Sequence, residues 1–598
     1  MSRFLILSKA QTTMNYTLNK SGSKDQKGSF KIAIKRLLPF MAKEKKSLAI
    51  AFVAIIINSS SNLVGPVIIG YTVDNFIKNK DFHGVLIYSA ILFGIYFAGL
   101  IASYIQTKTM GGVGRRVLFS LRNTIFNKLQ ELPVAFFNQN KAGDLISRIN
   151  SDTDKLNMFF SHALVQLVGN FFLILGAGIF LLTLNVKLGS AAIFPAFCVL
   201  IITQLISAWV KRKTLKSLQS LGGMSAEIQE SLENFKVIVA FNRLDYFRKK
   251  FSEANENNYD ASVGAGVATN IFIPIYGLAS NLAILIVIAY GVTLISAGSL
   301  TIGLLIGFLL YVNSFYNPLR HLASLWSSMQ LALAALDRIS EVLSLKTNME
   351  IIPGKKTHSD LVMEFKNVSF SYPEGKSVLH NINLELKKGH TYAFVGPTGG
   401  GKTTTASLMA RLYDPTEGMV LLNGKDIRSY ESAERSKHIG FILQEPFLFT
   451  GTVRDNILYG NEEYLHYSND ELRDELEKHN LSKLLARFDK GLDTSVATSG
   501  DSISLGQKQL IAFIRAVLRE PDILILDEAT ANIDTVTEQL LEEILTKLPK
   551  ETTKVIIAHR LNTIDNADQI CFVNGGEIIL AGSMEHALEM LLHGKKKS

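Results

Sequence analysis

The sequence predicts a multi-domain membrane protein, in which a six-helix all-α transmembrane domain is followed by an α/β domain with a phosphate-binding loop. Two observations carry this prediction. The first half of the 598-residue chain contains uncharged apolar stretches, and about 20 such residues are enough to cross a bilayer. In the second half an apolar run at 391–395 directly precedes a Gly-rich stretch that ends in Lys402 and Thr403, an order typical of a phosphate-binding loop.

The uncharged stretches indicate six membrane spans. A charged side chain at the centre of a bilayer costs roughly 2.5–3.5 kcal/mol, so long gaps in the distribution of charge mark candidate spans. The longest gap can hold two spans of about 25 residues, joined by a turn at 296–300. One buried helix of a soluble protein would explain one such stretch, but not six. The stretches without Asp, Glu, Lys or Arg are 48–70, 84–107, 157–186, 188–210 and 261–319.

Charged segments predict the topology. Residues 1–46 hold eleven Lys and Arg against two acidic residues, and this bias favours a cytoplasmic N-terminus, although a solvated basic tail is the simpler interpretation and nucleic-acid binding the weakest. Six spans then return the C-terminal half to the cytoplasm. The long, charged connections at 108–156 and 211–260 should be cytoplasmic helical extensions.

Composition and pattern define the expected domains. At 47% hydrophobic and 19% charged residues, the chain is too apolar for an ordinary soluble protein. The first apolar run is too short for a secretory signal, so the N-terminal tail should be disordered, with Met14 as an alternative start. From about residue 361 short strands alternate with helices, which is typical of an α/β domain. The expected parts are a basic tail (1–29), a transmembrane domain (30–344), a linker (345–360) and a nucleotide-binding domain (361–598).

The phosphate loop fixes the ligand class as ATP or GTP. Its glycines let backbone N–H groups close around the phosphates, and the helix that follows offers its positive N-terminal end. Lys402 can reach the β- and γ-phosphate oxygens, and the Thr403 hydroxyl can hold Mg²⁺. The loop and the residue behind it are Gly396, Pro397, Thr398, Gly399, Gly400, Gly401, Lys402, Thr403 and Thr404.

Two acidic residues follow a second buried strand. The run 523–526 is entirely apolar and is followed by Asp527 and Glu528. Phosphoryl transfer needs both charge neutralisation and a positioned nucleophile. Asp527 is therefore expected in the Mg²⁺ ligand sphere, and Glu528 is expected to orient and deprotonate the attacking water.

The cysteines and the other candidate metal ligands suggest no further chemistry. Cys198, in a span, and Cys571, in a predicted strand, have no metal-binding or disulfide spacing and should be buried, inert thiols. No His, Cys or Asp cluster has the spacing of metal ligands. The only metal expected is the Mg²⁺ that accompanies the nucleotide.

With these motifs, residues 30–592 resemble the ATP-binding cassette (ABC) transporters, specifically half-size exporters whose transmembrane domain precedes the nucleotide domain. The resemblance implies that Tyr372 stacks on adenine, that Gln444 contacts Mg²⁺ and water, and that His559 lies at the γ-phosphate. It also implies that Asp534 belongs to a loop that signals across a dimer. Each assignment rests on the surrounding motif, because a lone Tyr, Gln or His is more often an ordinary surface or satisfied polar residue.

The membrane half carries the resemblance too. The segment 132–137, followed by Gly143, Asp144, Ser147 and Arg148, looks like the exporter loop whose short helix docks on the nucleotide domain. Residues 233–241 resemble the start of the helix that returns from the second such loop.

One motif departs from the family pattern. The family signature is Leu-Ser-Gly-Gly-Gln and contacts the γ-phosphate bound by the opposite subunit. Here Ser504, Gly506 and Gln507 remain, whereas a glycine is replaced by Leu505, although close approach of backbone to phosphate favours a residue without a Cβ. With Glu528 intact, this asymmetry favours a heterodimer in which a partner supplies an intact signature, while a homodimer stays an alternative.

The resemblance implies ATP-driven export of a small amphipathic molecule, lipid or peptide across the cytoplasmic membrane, by alternating access in a dimer with twelve spans. ATP and Mg²⁺ are the expected cofactors. An importer on the exporter scaffold remains an alternative, as does an ATP-gated channel or regulatory subunit, which the intact Glu528 disfavours. A soluble cassette ATPase is contradicted by the six spans.

Overall fold

A computed structural model describes most of the chain and divides it into two compact units. One unit joins residues 345–598 with Glu131–Ala142 and with Met1–Asn19; the other holds Lys20–Gln130 and Gly143–Ser344. The described residues are 16–18, 42–347, 349–373, 375, 377–497, 503–527, 535–557, 567–582 and 584–593.

The second unit is helical, and the prediction of six spans is confirmed. Within the described residues six helices are long and apolar enough to cross a membrane. Several continue far beyond their apolar part, as predicted for the long connections. Numbered in chain order, the helices up to residue 344 are α1 (Lys45–Thr72), α2 (Phe82–Gln130), α3 (Val134–Gln139), α4 (Ala142–Ser147), α5 (Thr153–Met158), α6 (Leu164–Leu184), α7 (Val186–Glu233), α8 (Phe235–Ala240), α9 (Leu244–Asn270), α10 (Phe272–Ser296) and α11 (Ile302–Ser344). Of these, α3 belongs to the first unit.

Helices α1 and α11 pack closely in antiparallel directions. A Cβ added to Gly303 would lie 2.0 Å from the carbonyl oxygen of Gly70, so only glycine permits this approach. Two turns further along α11, the hydroxyl of the buried Tyr311 donates a hydrogen bond to the carbonyl oxygen of Leu63. These contacts fix which residues of the two helices lie at the same level.

A network of charged groups ties α4 and the π-helical segment Arg148–Asp152 to the C-terminal part of α11. Arg148, only 1% exposed, pairs with Asp144 at 2.9 Å and with Glu341 at 2.8 Å, and it donates to the carbonyl oxygen of Arg338 at 2.6 Å. Arg338 in turn pairs with Asp144 at 2.6 Å and with Asp152 at 3.2 Å. A charge this deeply buried is tolerated because it is paired and hydrogen-bonded.

The first unit is built on two main β-sheets, and the predicted α/β class is confirmed. One sheet has the order β2-β1-β4-β5 and the other β12-β11-β3-β10-β9-β6. The strands are β1 (Leu361–Ser371), β2 (Ser377–Lys387), β3 (Thr391–Val395), β4 (Glu417–Leu422), β5 (Lys425–Asp426), β6 (Ile439–Ile442), β7 (Gly451–Thr452), β8 (Ser495–Val496), β9 (Ile523–Asp527), β10 (Thr553–Ile557), β11 (Gln569–Asn574) and β12 (Glu577–Leu580).

Strands of the larger sheet contribute side chains to two clusters of buried apolar residues. Strand β9 is buried along its whole length, as expected for a strand of a parallel sheet with both faces covered. The helices of this unit are α12 (Lys402–Met409), α13 (Ser432–His438), α14 (Val453–Leu458), α15 (Asn469–Lys478), α16 (Ser482–Leu485), α17 (Leu505–Val517), α18 (Thr535–Lys547) and α19 (Met584–His593).

Three residues of the predicted disordered tail make defined contacts in this unit. Tyr16 is 1% exposed, its ring meets that of Phe136 edge-on at 6.4 Å, and its hydroxyl donates to the carbonyl oxygen of Lys346 at 3.2 Å. The backbone N–H of Leu18 donates to the side chain of Asn140 at 3.0 Å. Residues 16–18 thus lie against α3, which the apolar pattern of the tail did not suggest.

Candidate functional site

The candidate site lies at one edge of the six-stranded sheet. Strands β11, β3, β10, β9 and β6 are parallel, so their carboxyl ends share this edge. In open α/β sheets ligands bind outside the carboxyl ends of the strands. The glycine-rich loop follows β3 at this edge, and Asp527 ends β9, with β10 between the two strands.

The loop has a backbone that only glycines adopt readily. Gly396, Gly399 and Gly401 have φ values of 146°, 81° and 114°, in the region that L side chains rarely occupy. A Cβ on Gly396 would lie 2.0 Å from the carbonyl oxygen of Val573 in β11, and one on Gly400 would lie 2.6 Å from the same oxygen. The loop is therefore held tightly against β11, and Gly401 caps the start of α12, whose N-terminal N–H groups can receive a phosphate.

Lys402 is buried inside the loop. Its side chain is 6% exposed, and its Nζ donates to the carbonyl oxygens of Gly396 at 2.8 Å and Pro397 at 3.1 Å. Both of these acceptors are neutral carbonyl oxygens. The arrangement holds a positive charge where the loop closes.

Thr403 and Asp527 bring two oxygen ligands together. The Thr403 hydroxyl donates to Oδ1 of Asp527 at 3.2 Å, and Asp527 is 2% exposed. Hydroxyl and carboxylate oxygens are the ligands that Mg²⁺ prefers. The donor set at this point therefore fits a magnesium ion, although 124 residues separate the two side chains in sequence.

An aromatic cluster lies beside the start of α12. The hydroxyls of Tyr372 and Thr404 are 3.1 Å apart, and the Tyr372 ring meets that of Tyr413 edge-on at 5.3 Å. Asn138 of α3 donates its amide to the Tyr413 hydroxyl at 2.7 Å. Burial raises the pKa of Tyr413, and the bond from Asn138 acts in the opposite direction. A chain of contacts thus runs from α3 to the residue that follows the phosphate loop.

Gln444 lies two residues beyond the end of β6, at the same sheet edge, and its side chain is exposed. Beside it is a groove of about 320 Å³ that includes Leu443, Phe447, Phe449, Tyr459 and Arg515 in its lining. We call this the β6 groove.

The altered signature has an ordered conformation. Ser504 caps α17: its hydroxyl accepts from the Gln507 N–H at 3.2 Å, and its own N–H donates to the Gln507 side chain at 2.9 Å. Gln507 also donates to the carbonyl oxygen of Arg487 at 2.7 Å. Within the described residues these side chains therefore hydrogen-bond locally, not with the phosphate loop. Leu505 is the first helical residue, and 41% of its side chain is exposed.

Three predicted site residues, Glu528, Asp534 and His559, lie outside the described residues. Among the described ones, the structure brings the loop 396–404, Asp527 and Tyr372 to one place. The hydrogen bond between Asn138 and Tyr413 was missed by sequence reasoning, because neither residue belongs to a phosphate-binding motif. Only the placement of 132–137 in a docking loop hinted at a contact of this kind.

The thiols differ from each other. Cys571 is buried in β11, as predicted, and burial raises its thiol pKa to about 12. The prediction for Cys198 is wrong: its side chain is exposed on α7, because it lies on the apolar surface of a membrane-type helix rather than in a core. The described residues contain no group of three or more His, Cys, Asp and Glu that could hold a metal ion.

Comparison with known proteins gives two family matches, one mainly within the helical unit and one within the unit that holds the phosphate loop. The pattern of the ABC transporter transmembrane region matches residues 48–319, and that of the ABC transporter matches residues 379–531.

Similar proteins match over nearly the full chain. An uncharacterized ABC transporter ATP-binding protein of Bacillus subtilis is 33% identical, covering 95% of this chain and 93% of its own. A putative multidrug export ATP-binding/permease protein of the same bacterium is 30% identical, covering 93% and 97%. A fatty acid ABC transporter ATP-binding/permease protein of Mycobacterium bovis is 30% identical, covering 85% and 80%.

Proposed function

The chain belongs to the ABC transporter family, and from this premise we propose that it is one half of a dimeric ATP-driven exporter. It binds ATP and is an ATP hydrolase coupled to membrane transport. One observation carries the proposal: a single polypeptide joins six helices apolar enough to cross a membrane to a glycine-rich loop at the carboxyl edge of a parallel sheet. The transport step is alternating access, in which ATP binding and hydrolysis switch the membrane cavity between two orientations.

The proposed cargo is a small amphipathic molecule, lipid or peptide. The names of two relatives, a putative multidrug export protein and a fatty acid transporter, support this class. We further infer that the nucleotide domain and the N-terminus are cytoplasmic, because the basic segment 1–46 and the supply of ATP require the same orientation.

The phosphate loop is the proposed binding site for the nucleotide phosphates. The backbone N–H groups of residues 396–403 and the start of α12 hold the phosphates, and the buried ammonium of Lys402 supports their negative charge. Tyr372 stacks on the adenine. Asp534 belongs to the loop that communicates with the other subunit.

Hydrolysis is the in-line attack of water on the γ-phosphorus. Glu528 takes a proton from the attacking water, the bond from the γ-phosphorus to the β,γ-bridging oxygen breaks, and ADP leaves. His559 contacts the γ-phosphate. The hydroxyl of Thr403, the carboxylate of Asp527 and the side chain of Gln444 would hold Mg²⁺. When bound, this ion neutralises charge on the β- and γ-phosphates.

A second subunit would complete the site with its signature. Ser504 caps α17, and Gly506 and Gln507 lie in its first turn. The positive N-terminal end of this helix can meet a γ-phosphate bound by the opposite subunit. The exposed side chain of Leu505 adds bulk at this surface. We propose a heterodimer, in which an intact partner signature serves the Glu528 site of this chain and Leu505 faces the partner's own site.

The short helix α8 is a further proposed contact with the partner. Phe235, Val237 and Val239 are about half exposed, and exposed apolar patches mark interaction sites.

The test is to purify this chain alone and together with its candidate partner half-transporter, both in nanodiscs. We expect ATPase activity only from the pair, and its loss when Glu528→Gln is introduced in this chain alone, with ATP affinity nearly unchanged. Full hydrolysis by the variant pair would refute the role of Glu528. Full ATPase and transport by a stable homodimer would refute the heterodimer, and ATP-dependent uptake into inside-out vesicles would establish export.

A further inference from the structure

The span Ile302–Leu322 of α11 has an unusual exposed face. After Ile302, its exposed side chains are Asn313, Asn317, Arg320 and His321, and none of them is apolar. We call Asn313, Asn317 and Arg320, which recur at helical spacing, the α11 polar face. Side chains three and four residues apart lie on the same side of a helix.

Helix α2 serves for comparison, because it exposes large apolar side chains of the kind expected at a lipid-facing surface. Its most exposed large side chains within 84–107 include Phe93 at 72% and Leu100 at 64%. Polar side chains directed at hydrocarbon are costly, whereas polar groups in a membrane domain usually face a water-filled cavity or a partner. The α11 polar face is therefore not a lipid-facing surface.

Polar residues of α1 lie at the same level. Because Gly303 meets Gly70 and Tyr311 meets Leu63 in antiparallel packing, the polar run 58–62 of α1 is level with 311–316 of α11. Ser60 and Asn62 in this run are exposed. Two neighbouring helices thus present amides and hydroxyls at mid-membrane depth.

Arg320 adds a positive charge to this surface. It lies 18 residues beyond Ile302, about 27 Å along the helix, close to the far boundary of a hydrocarbon layer about 30 Å thick. Within the described residues Arg320 has no ion-pair partner, and the uncharged stretches 48–70, 84–107, 157–186, 188–210 and 261–319 supply no acidic group. A guanidinium binds carboxylates and phosphates through two parallel hydrogen bonds.

We propose that the α11 polar face binds the headgroup of an amphipathic anion. Arg320 pairs with the carboxylate or phosphate, and Asn313 and Asn317 donate amide hydrogen bonds to its oxygens. The depth of Arg320 matches the headgroup level of one leaflet, so a single-chain lipid-like anion can reach it while its tail stays in an apolar environment. This inference rests on the proposed transport function and specifies its cargo as anionic.

The test measures equilibrium binding without ATP, in nanodiscs that hold the complete transporter. The probes share a twelve-carbon tail: lauric acid, lauryl phosphate, lauryl alcohol and dodecyltrimethylammonium. Comparison of the first two distinguishes a carboxylate from a phosphate headgroup. The variants are Arg320→Gln and Arg320→Lys, with Lys108→Gln as the control, because Lys108 is an exposed cation just beyond the apolar part of α2.

We expect Arg320→Gln to weaken binding of at least one anion tenfold or more and to leave the alcohol and the cation within twofold. Arg320→Lys should weaken the anion by a few-fold only, and Lys108→Gln should have no effect. Equal affinity of wild-type protein for anion and alcohol would overturn the proposal. Dissociation of the dimer by Arg320→Gln would also overturn the proposal, because it would identify the α11 polar face as a subunit contact. Since no readout depends on hydrolysis or direction, failure of the export proposal would be detected separately.

Discussion

Replacing Arg148 by Met tests the network of charges between α4, the π-helical segment and α11. Methionine fills much of the same volume but removes the charge. The variant leaves the carboxylates of Asp144 and Glu341 without the guanidinium that pairs with both at 2.8–2.9 Å, and it removes one hydrogen-bond donor from the carbonyl oxygen of Arg338.

The expected cost follows from the burial of each partner. Removal of one member of a buried ion pair destabilises by about 3–5 kcal/mol. Arg148 is 1% exposed, but the side chains of Asp144 and Glu341 are 40% and 26% exposed, so water can rehydrate them. Asp144 also keeps its bond to Arg338 at 2.6 Å. We therefore expect the lower end, about 3 kcal/mol, which corresponds to roughly a 150-fold change in a local opening equilibrium.

Native-state hydrogen exchange is the suitable assay, since it reports local opening directly. Amides in 144–152 should exchange roughly 150-fold faster in Arg148→Met. The matched control is Arg122→Met, whose pair with Asp154 at 3.0 Å is more exposed on both sides; such pairs contribute about 0–1 kcal/mol, a change of less than about fivefold. Equal exchange rates for wild-type protein and Arg148→Met would refute the reasoning.

Further predictions concern the nucleotide unit. Lys402→Ala should weaken ATP binding at least tenfold, because the loop loses its only buried ammonium within the described residues 391–409; calorimetric titration measures this, and unchanged affinity would contradict the site. Tyr413→Phe keeps the ring but removes the hydrogen bond from Asn138 at 2.7 Å. We expect ATP affinity to stay within twofold of the wild-type value, and the coupling free energy between α3 and the nucleotide site to fall by roughly 1 kcal/mol. The measurement is the stimulation of the ATPase by cargo, which should be weaker. The Cys571 thiol, with its pKa raised to about 12 by burial, should resist alkylation at pH 8 in the folded protein and react once the protein is denatured. Rapid reaction of the native form would show that β11 is accessible to solvent.

Sequence patterns predicted the elements whose physics is local or periodic. The six spans followed from missing charges, and the phosphate loop followed from its glycines, of which Gly396 and Gly400 do pack closely against Val573. The helical form of the connections 108–156 and 211–260 followed from their length and charge.

Contacts between distant segments could not be predicted in this way. Neither the burial of Tyr16 against Phe136 nor the bond between Asn138 and Tyr413 leaves a local signal, because each depends on which surfaces the fold brings together. Cys198 was misjudged for a related reason: an apolar environment in a membrane span does not require burial within the protein.

The position of Val573 has a consequence for synthesis of the protein. The glycine loop leaves β3 at residue 395, yet the backbone oxygen that supports it belongs to β11, roughly 180 residues later, and at about 5–20 residues per second the ribosome needs roughly 9–36 s to reach it. For most of this time β3 lacks its neighbours β10 and β11, both of which come from the C-terminal part. The membrane helices are therefore made well before the nucleotide site can close, and a nascent chain that stops short of residue 573 carries the loop sequence without the support that shapes it.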